Sequence, residues 1–375
     1  MTGSEYGAVS SHLLSWYREN RRILPWREEV SPYRVWISEI MLQQTRVEAV
    51  KGYFERFLET LPTVSELAAV PDETLMKLWQ GLGYYTRARN LKKAAMEIVV
   101  RFDGKVPDSF DDLLSLPGIG RYTAAAISSI AFGHRHAAVD GNVLRVYARV
   151  FGDERDIMEE ETKKAFAEEI LRLMPDESGC YGNAENGRND CGDFTQALIE
   201  LGATVCLPNG RPMCASCPLR ESCFAWENEA FDRLPVKTRK ADRRVEQRTL
   251  LFLSDSDGTR LGLMRRPDRG LLAGLFEPVN LAGALSDSDV LQLLSEYGVD
   301  AQTVREILPL GEAKHVFTHV EWHMTGYRVV LSELPLGASM VFPTTKEITE
   351  AYAVPSAFRY YMKKLIPEGG SSDGA

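Results

Sequence analysis

The sequence predicts an all-α domain followed by a small α+β domain, and three observations lead there. From Ser10 to about Trp226 apolar residues recur at helical spacing, with no sustained strand alternation. A basic, apolar-poor stretch containing Pro235 then interrupts the pattern at 232–247. Beyond it come short strand-like runs and a single helical pattern. A chain of 375 residues exceeds what one hydrophobic core usually serves, which agrees with two domains.

Within the first part, 65–82 and 162–173 carry clear helical periodicity. Leu61-Pro62, Val70-Pro71, Val106-Pro107 and Leu116-Pro117-Gly118 are breaks between helices, because proline cannot continue a helix and glycine favours a turn. The segment 176–193, rich in Gly, Asn and Asp, predicts a surface loop. In the second part 249–253, 261–265 and 325–331 have strand composition, and 287–297 predicts a helix with Ser286 as N-cap. The expected organisation is therefore 1–231 helical domain, 232–247 linker, 248–366 α+β domain and 367–375 tail.

No apolar run is long enough to span a bilayer, and the N-terminus lacks a basic region followed by an unbroken apolar one. An intracellular protein with no membrane association is expected. In a reducing compartment its six cysteines point to metal or catalysis rather than disulfides. The net charge of -9 argues against nucleic acid as a partner, but distribution overrules the sum. Residues 76–105 hold seven basic and two acidic groups, and 232–248 hold seven basic and three acidic.

Leu116-Pro117-Gly118-Ile119-Gly120 precedes a helix opening at Tyr122-Thr123-Ala124. A hairpin with Gly118 and Gly120 lets backbone N–H groups at the helix start face a phosphate; the plainer reading is an ordinary helix connection. Asp140, in Val139-Asp140-Gly141-Asn142-Val143, reads either as an N-cap or as a carboxylate that stabilises a developing sugar cation, and the two are compatible. Glu39 sits among aromatic and aliphatic neighbours that raise a carboxyl pKa, as suits a general acid, although a solvent-facing helical Glu has the same pattern. Cys206, Cys214, Cys217 and Cys223 form C-x7-C-x2-C-x5-C, a four-thiolate set for an iron-sulfur cluster or a zinc ion. Cys180 and Cys191 lie outside that set and are expected to be free surface thiols.

With Leu24-Pro25-Trp26-Arg27, Ser38-Glu39-Ile40-Met41-Leu42-Gln43-Gln44-Thr45, Gly81-Leu82-Gly83-Tyr84-Tyr85 and Arg87-Ala88-Arg89-Asn90, these motifs resemble the MutY adenine DNA glycosylases of the endonuclease III, helix-hairpin-helix superfamily. The match runs over nearly the whole chain. It implies a helix-hairpin-helix glycosylase domain with a 4Fe-4S cluster on the four cysteines, and a Nudix-like C-terminal domain. The implied activity is hydrolytic removal of adenine mispaired with 8-oxoguanine or guanine in double-stranded DNA, by a monomer. The implied compartment is the bacterial cytoplasm, or the nucleus in a eukaryote.

The resemblance also implies roles. Glu39 would protonate N7 of the flipped adenine, Asp140 would stabilise the oxocarbenium-like sugar, and Tyr122 and Asn142 would position the reacting groups. Trp26, Arg27 and Glu200 would line the adenine pocket. Gln44 and Tyr84 would push into the base stack beside 8-oxoguanine. Relatives that also cleave the backbone carry a lysine where this chain has Tyr122, so base removal with little or no lyase step is implied. The paired glutamates with which Nudix hydrolases hold Mg²⁺ are missing between Gly270 and Tyr297, which implies a recognition domain, with Phe317-Thr318-His319 reading 8-oxoguanine. The family's first cysteine gap is six residues; with seven here, the 207–213 loop must bulge.

Overall fold

The computed structural model describes residues 3–176, 189–238, 242–335 and 340–366. It divides into two compact units, Met1–Ala69 with Arg89–Arg239, and Val70–Ala88 with Lys240–Ala375. The segment Val70–Ala88 therefore groups with the C-terminal residues rather than with the rest of 1–231. Its polar side chains account for this: Lys77 Nζ donates to Ile348 O and Tyr352 O at 3.3 and 3.4 Å, and Gln80 Nε2 donates to Val354 O at 2.9 Å.

The described residues of the first unit form helices joined by turns and loops, with no strand among them. Helix Asp190–Thr204 is central and packs against Gly3–Asn20, Arg121–Phe132 and Gly141–Phe151. Its Phe194, Leu198 and Leu201 join Leu13, Tyr17, Val143, Val146, Phe166 and Ile170 in one buried cluster. A Cβ on Gly202 would come within 2.5 Å of Asn142 Cβ, so only glycine lets the start of helix Gly141–Phe151 lie this close. The periodic stretch 65–82 is two short helices, Val64–Ala69 and Asp72–Leu78, divided at Pro71. Of the loop expected at 176–193, residues 177–188 lie outside the described residues, and 190–193 are helical rather than loop. Asn189 caps the helix that opens at Asp190 by accepting from Gly192 N at 2.8 Å.

Cys191 is a correction. It is fully buried in the first turn of that helix and is disulfide-bonded, so it is not a free surface thiol. Helical burial hides from the sequence a residue that lies beside a Gly/Asn-rich segment. Cys180 lies outside the described residues.

In the second unit a four-stranded sheet has the order Val279–Ala282, Arg244–Ser254, Val320–Leu331, Val304–Val316. Arg244–Ser254 pairs in parallel with Val320–Leu331, and every other pairing is antiparallel. A second sheet holds Phe276–Glu277, Leu263–Arg265 and Met340–Val341. The run at 250–253 is continuously apolar because both sheet faces are covered. Leu250 and Phe252 pack with Trp322, Phe358 and Tyr361, while Leu251 and Leu253 pack with Val290, Leu294 and Val329.

Strand Arg244–Ser254 starts inside the expected linker 232–247; apart from Val245 its residues up to Arg248 are polar, and all five are exposed or partly exposed, so they carry little apolar signal. Helix Asp287–Leu294 has the expected Ser286 cap, closed as a capping box with Asp289, and ends in a 3₁₀ turn, Ser295–Tyr297. No helix among the described residues is long and apolar enough to cross a membrane.

Candidate active site

Within the first unit a cavity of about 450 Å³ is lined by Trp26, Arg27, Ser38, Glu39, Gln43, Gln44, Tyr122, Asp140, Asn142 and Gln196, among others. That volume suits a small organic ligand. Helix Pro32–Leu42 brings Glu39, and helix Arg121–Phe132 brings Tyr122 in its first turn. Asp140 and Asn142 come from the N-terminus of helix Gly141–Phe151.

Glu39 is only 8% exposed. Burial raises its carboxyl pKa to about 7, with the Asp140 charge adding to the rise; a hydrogen bond donated by the Tyr122 hydroxyl and the charge of Arg27 work against it. A carboxyl held there carries a proton near neutral pH. Burial, together with the charges of Glu39 and Asp140, pushes the Tyr122 phenol well above its ordinary value, so Tyr122 remains a donor.

Asp140 is both the N-cap and a carboxylate on the cavity, so its two sequence readings coexist. Oδ1 accepts from Asn142 N at 2.9 Å and Val143 N at 2.8 Å, and Oδ2 accepts from Asn142 Nδ2 at 2.7 Å. Burial raises its pKa, while the bonds from Val143 and Asn142 and the charge of Arg145 hold it down. Arg145 lies behind them, donating to Asn142 Oδ1 at 2.9 Å, Gly202 O at 2.8 Å and Cys206 O at 2.8 Å. Sequence reasoning missed Arg145, whose only signal is a charged residue on a helix otherwise buried on that side.

Glu200 does not stand on the cavity wall. It is 1% exposed and accepts from Arg22 Nε and Nη2 at 2.7 and 2.9 Å and from Arg27 Nη2 at 2.9 Å. Burial pushes its carboxyl up, but the bonds from Arg22 and the Arg27 charge outweigh this and leave it at about 2. Glu200 thus fixes Arg27, which does line the cavity and which also donates to Gln196 Oε1 at 3.1 Å. Trp26, 7% exposed, packs edge-on to Phe54.

Gly118 takes a φ of 79° in the hairpin, and a Cβ there would meet Asn90 Cβ at 2.7 Å. Gly120 caps helix Arg121–Phe132 without a side-chain bond, which leaves the first N–H groups of the helix open to an anion. Gln44, at the turn after helix Pro32–Leu42, has a φ of 56°, a left-handed conformation rare outside glycine.

The second unit carries Tyr84 and the 317–319 segment. Phe317, Thr318 and His319 form the turn between strands Val304–Val316 and Val320–Leu331, closed by Phe317 N donating to Val320 O at 2.8 Å. Phe317 is wedged between His315 and Trp322, which leaves Thr318 and His319 exposed. Tyr84, with a φ of 47°, places its hydroxyl 2.7 Å from Thr318 Oγ1.

Cys206, Cys214, Cys217 and Cys223 line one small apolar cavity with Arg149, Val205 and Phe231. Gly210, at φ 73°, turns the expected bulge, and Met213 N returns to Val205 O at 3.0 Å. Arg149 Nη1 donates to Cys206 Sγ at 3.4 Å and to Leu207 O at 2.8 Å. Burial and the charges of the neighbouring cysteines push the Cys217 thiol up to about 12. Among the described residues no group of three or more His, Cys, Asp or Glu closes into a site for a metal ion. The chemistry of the donor set, four sulfurs around one apolar cavity, fits an iron-sulfur cluster.

Residues 37–172 match the HhH-GPD superfamily of base excision DNA repair proteins, and 249–364 match the NUDIX domain. The chain is 34% identical to an adenine DNA glycosylase of Mus musculus, over 96% of this chain and 77% of that one. It is 30% identical to an adenine DNA glycosylase of Buchnera aphidicola subsp. Baizongia pistaciae, over 86% of each chain. Among solved structures a thermostable thymine-DNA glycosylase superposes with a TM-score of 0.52 at 29% identity, covering 60% of this chain and 98% of its own. A helix-hairpin-helix unit with a buried acid beside a capped aspartate, joined to a Nudix-like unit, is thus accompanied by similarity over nearly the full length, and the chain belongs to the adenine DNA glycosylase family of base-excision-repair enzymes.

Proposed function

We propose that this enzyme removes adenine mispaired with 8-oxoguanine, or with guanine, by hydrolysing the N-glycosidic bond of a flipped nucleotide. The observation that carries the reading is Glu39: a carboxyl 8% exposed and raised to about 7, sharing one cavity with Asp140. A base leaves a sugar readily only when protonated, and Glu39 holds the proton that N7 of adenine needs. As the bond breaks, its electron pair goes to the base and positive charge develops on the sugar. Asp140, aimed by Asn142 and the helix amides, stabilises that charge. Water then adds to the sugar carbon, and Glu39, now a carboxylate, takes its proton.

Trp26 and Arg27 hold the adenine, with Glu200 holding Arg27. The Gly118–Gly120 hairpin and the helix start behind it bind a DNA phosphate. Tyr122 occupies the position where a lyase needs an amine, and no lysine lines the cavity, so strand cleavage does not accompany base release. Gln44 and Tyr84 fill the stack, and Thr318 reads the oxidised base. Cys206, Cys214, Cys217 and Cys223 hold a 4Fe-4S cluster, which when bound pins the loop around Arg211 and Arg220 and supplies a redox-active centre.

The test is a panel of duplexes holding adenine opposite 8-oxoguanine, adenine opposite guanine, or an oxidised pyrimidine. Adenine release with strand scission only after alkali is expected. Spontaneous scission, or preference for the pyrimidine, contradicts the reading.

A further inference from the structure

The basic stretch at 232–248 has no part in the site described above. Its end forms the start of strand Arg244–Ser254, where Arg244, Glu246 and Arg248 alternate with Val245 and Gln247 and so share one face of the sheet. In register, Arg244 stands opposite Val320 and Glu246 opposite Trp322. With Arg266, Leu271 and His319 these side chains line a groove of about 530 Å³.

Two carboxylates, Glu246 in the groove and Glu277 beside it, order its arginines. Arg248 Nη2 and Trp322 Nε1 donate to Glu246 Oε2 at 2.6 and 3.1 Å, Arg244 pairs with the other oxygen of Glu246, and the Arg248 guanidinium lies 5.0 Å from the Trp322 ring centre. Arg266 donates to Glu277 Oε1 at 2.5 Å and to Leu271 O at 2.9 Å. A guanidinium has five N–H donors, so these bonds orient the arginines without exhausting them. Three guanidinium groups against two carboxylates leave the groove positive, and the Arg244 side chain is 77% exposed. Orientable forks of this kind match phosphate oxygens.

We infer that this groove binds phosphate, and that the phosphate is the backbone of the DNA strand carrying the 8-oxoguanine. The inference rests on the reading of Phe317–Thr318–His319 as the lesion contact. His319 belongs to both that turn and the groove, so a nucleotide whose base lies on Thr318 has its own backbone beside Arg244 and Arg266. A free nucleoside triphosphate has the same chemistry, but the paired glutamates with which a Nudix hydrolase holds Mg²⁺ on a triphosphate are missing between Gly270 and Tyr297.

The test uses the full-length protein and duplexes in which the adenosine is replaced by a non-hydrolysable analogue, with binding measured across a range of salt. Arg244→Ala with Arg266→Ala should weaken binding to 8-oxoguanine and guanine duplexes alike and lower the salt slope by about one to two, leaving the preference ratio unchanged. The paired Lys replacement should restore the slope; it retains charge and guards against loss of folding, which circular dichroism checks. Neutral methylphosphonate linkages flanking 8-oxoguanine should cost the wild type affinity and cost the alanine pair little. A wild-type slope in a folded alanine pair overturns the inference. So does arginine-dependent binding of deoxyguanosine triphosphate with no change in DNA affinity. If alanine at Phe317, Thr318 and His319 leaves the preference ratio intact while the arginine pair still lowers the slope, the lesion-loop reading fails and the phosphate groove stands.

Discussion

Asn142 Nδ2 donates a 2.7 Å hydrogen bond to Asp140 Oδ2, while Arg145 grips the carbonyl oxygen of the same amide at 2.9 Å. The Asn142 amide is thereby fixed in the one orientation that presents its NH₂ to the carboxylate. Since Arg145 also bonds Cys206 O at 2.8 Å, the aim of Asp140 and the first cysteine share one buried guanidinium.

Removing that guanidinium leaves Asn142 free to flip and Gly202 O and Cys206 O without their donor. Arg145→Ala should slow adenine release by roughly 10- to 100-fold, the scale of losing a hydrogen bond to a charged group, and should also lower metal retention. Single-turnover rates beside iron content check this. A normal rate with normal iron would show that Asp140 keeps its aim without Arg145.

In the proposed mechanism Glu39 gives the reaction its alkaline limb. Its pKa is raised from 4.5 to about 7, so the proton needed for N7 is present below about 7 and is lost above it, and the rate should fall about tenfold per pH unit there. The same shift acts on stability. Because the folded pKa is the higher one, the contribution is fully present below 4.5 and is lost as pH rises through about 7, at a cost of roughly 3 kcal/mol above that. Glu39→Gln should therefore be more stable than wild type at pH 8 and lose that advantage by pH 4.5. Thermal melts at the two values measure the difference.

The four-cysteine cavity predicts a brown protein with about four irons per chain. Metal analysis after anaerobic purification reads this directly, and one zinc without iron would contradict it. Cys217→Ser should lose the metal and disorder the 206–223 loop, seen as faster proteolysis there.

Adenine is an ordinary base, so selectivity has to come from its partner. 8-Oxoguanine offers a donor at N7 where guanine has an acceptor, and in the proposed reading the Thr318 hydroxyl accepts from it while the Thr318 amide donates to a nearby lesion oxygen. Replacing Phe317, Thr318 and His319 together by alanine should reduce the preference for 8-oxoguanine over guanine by roughly tenfold or more, on the scale of one unpaired polar group of about 1–3 kcal/mol. Excision opposite guanine should survive. An unchanged ratio would move lesion recognition to Gln44 and Tyr84.

Much of this was legible in the sequence because local chemistry marks it. The Asp140 cap, the Gly118 turn, the cysteine spacing and the apolar neighbourhood of Glu39 are each written within a few residues. What stayed hidden depends on chain segments far apart. Glu200 reads as a wall residue until Arg22 and Arg27 are seen to enclose it, and Arg145 has no signal before Gly202 and Cys206 arrive beside it. Strand Val304–Val316 escaped because its faces are half-exposed and its register shifts between Pro309 and Gly311, which breaks the alternation. Cys191 looked exposed because its neighbours in sequence are polar, whereas the helix it opens is the centre of the core.

The central claim is that Glu39 and Asp140 act together on one glycosidic bond, and single-turnover adenine release from an adenine:8-oxoguanine duplex by Glu39→Gln and by Asp140→Asn tests it most directly. Each variant should bind the duplex as wild type does and release adenine at below about one per cent of the wild-type rate, as expected for loss of a general acid or of the group that stabilises the cation. Release above that level by either variant, with binding intact, would remove that carboxylate from the chemistry.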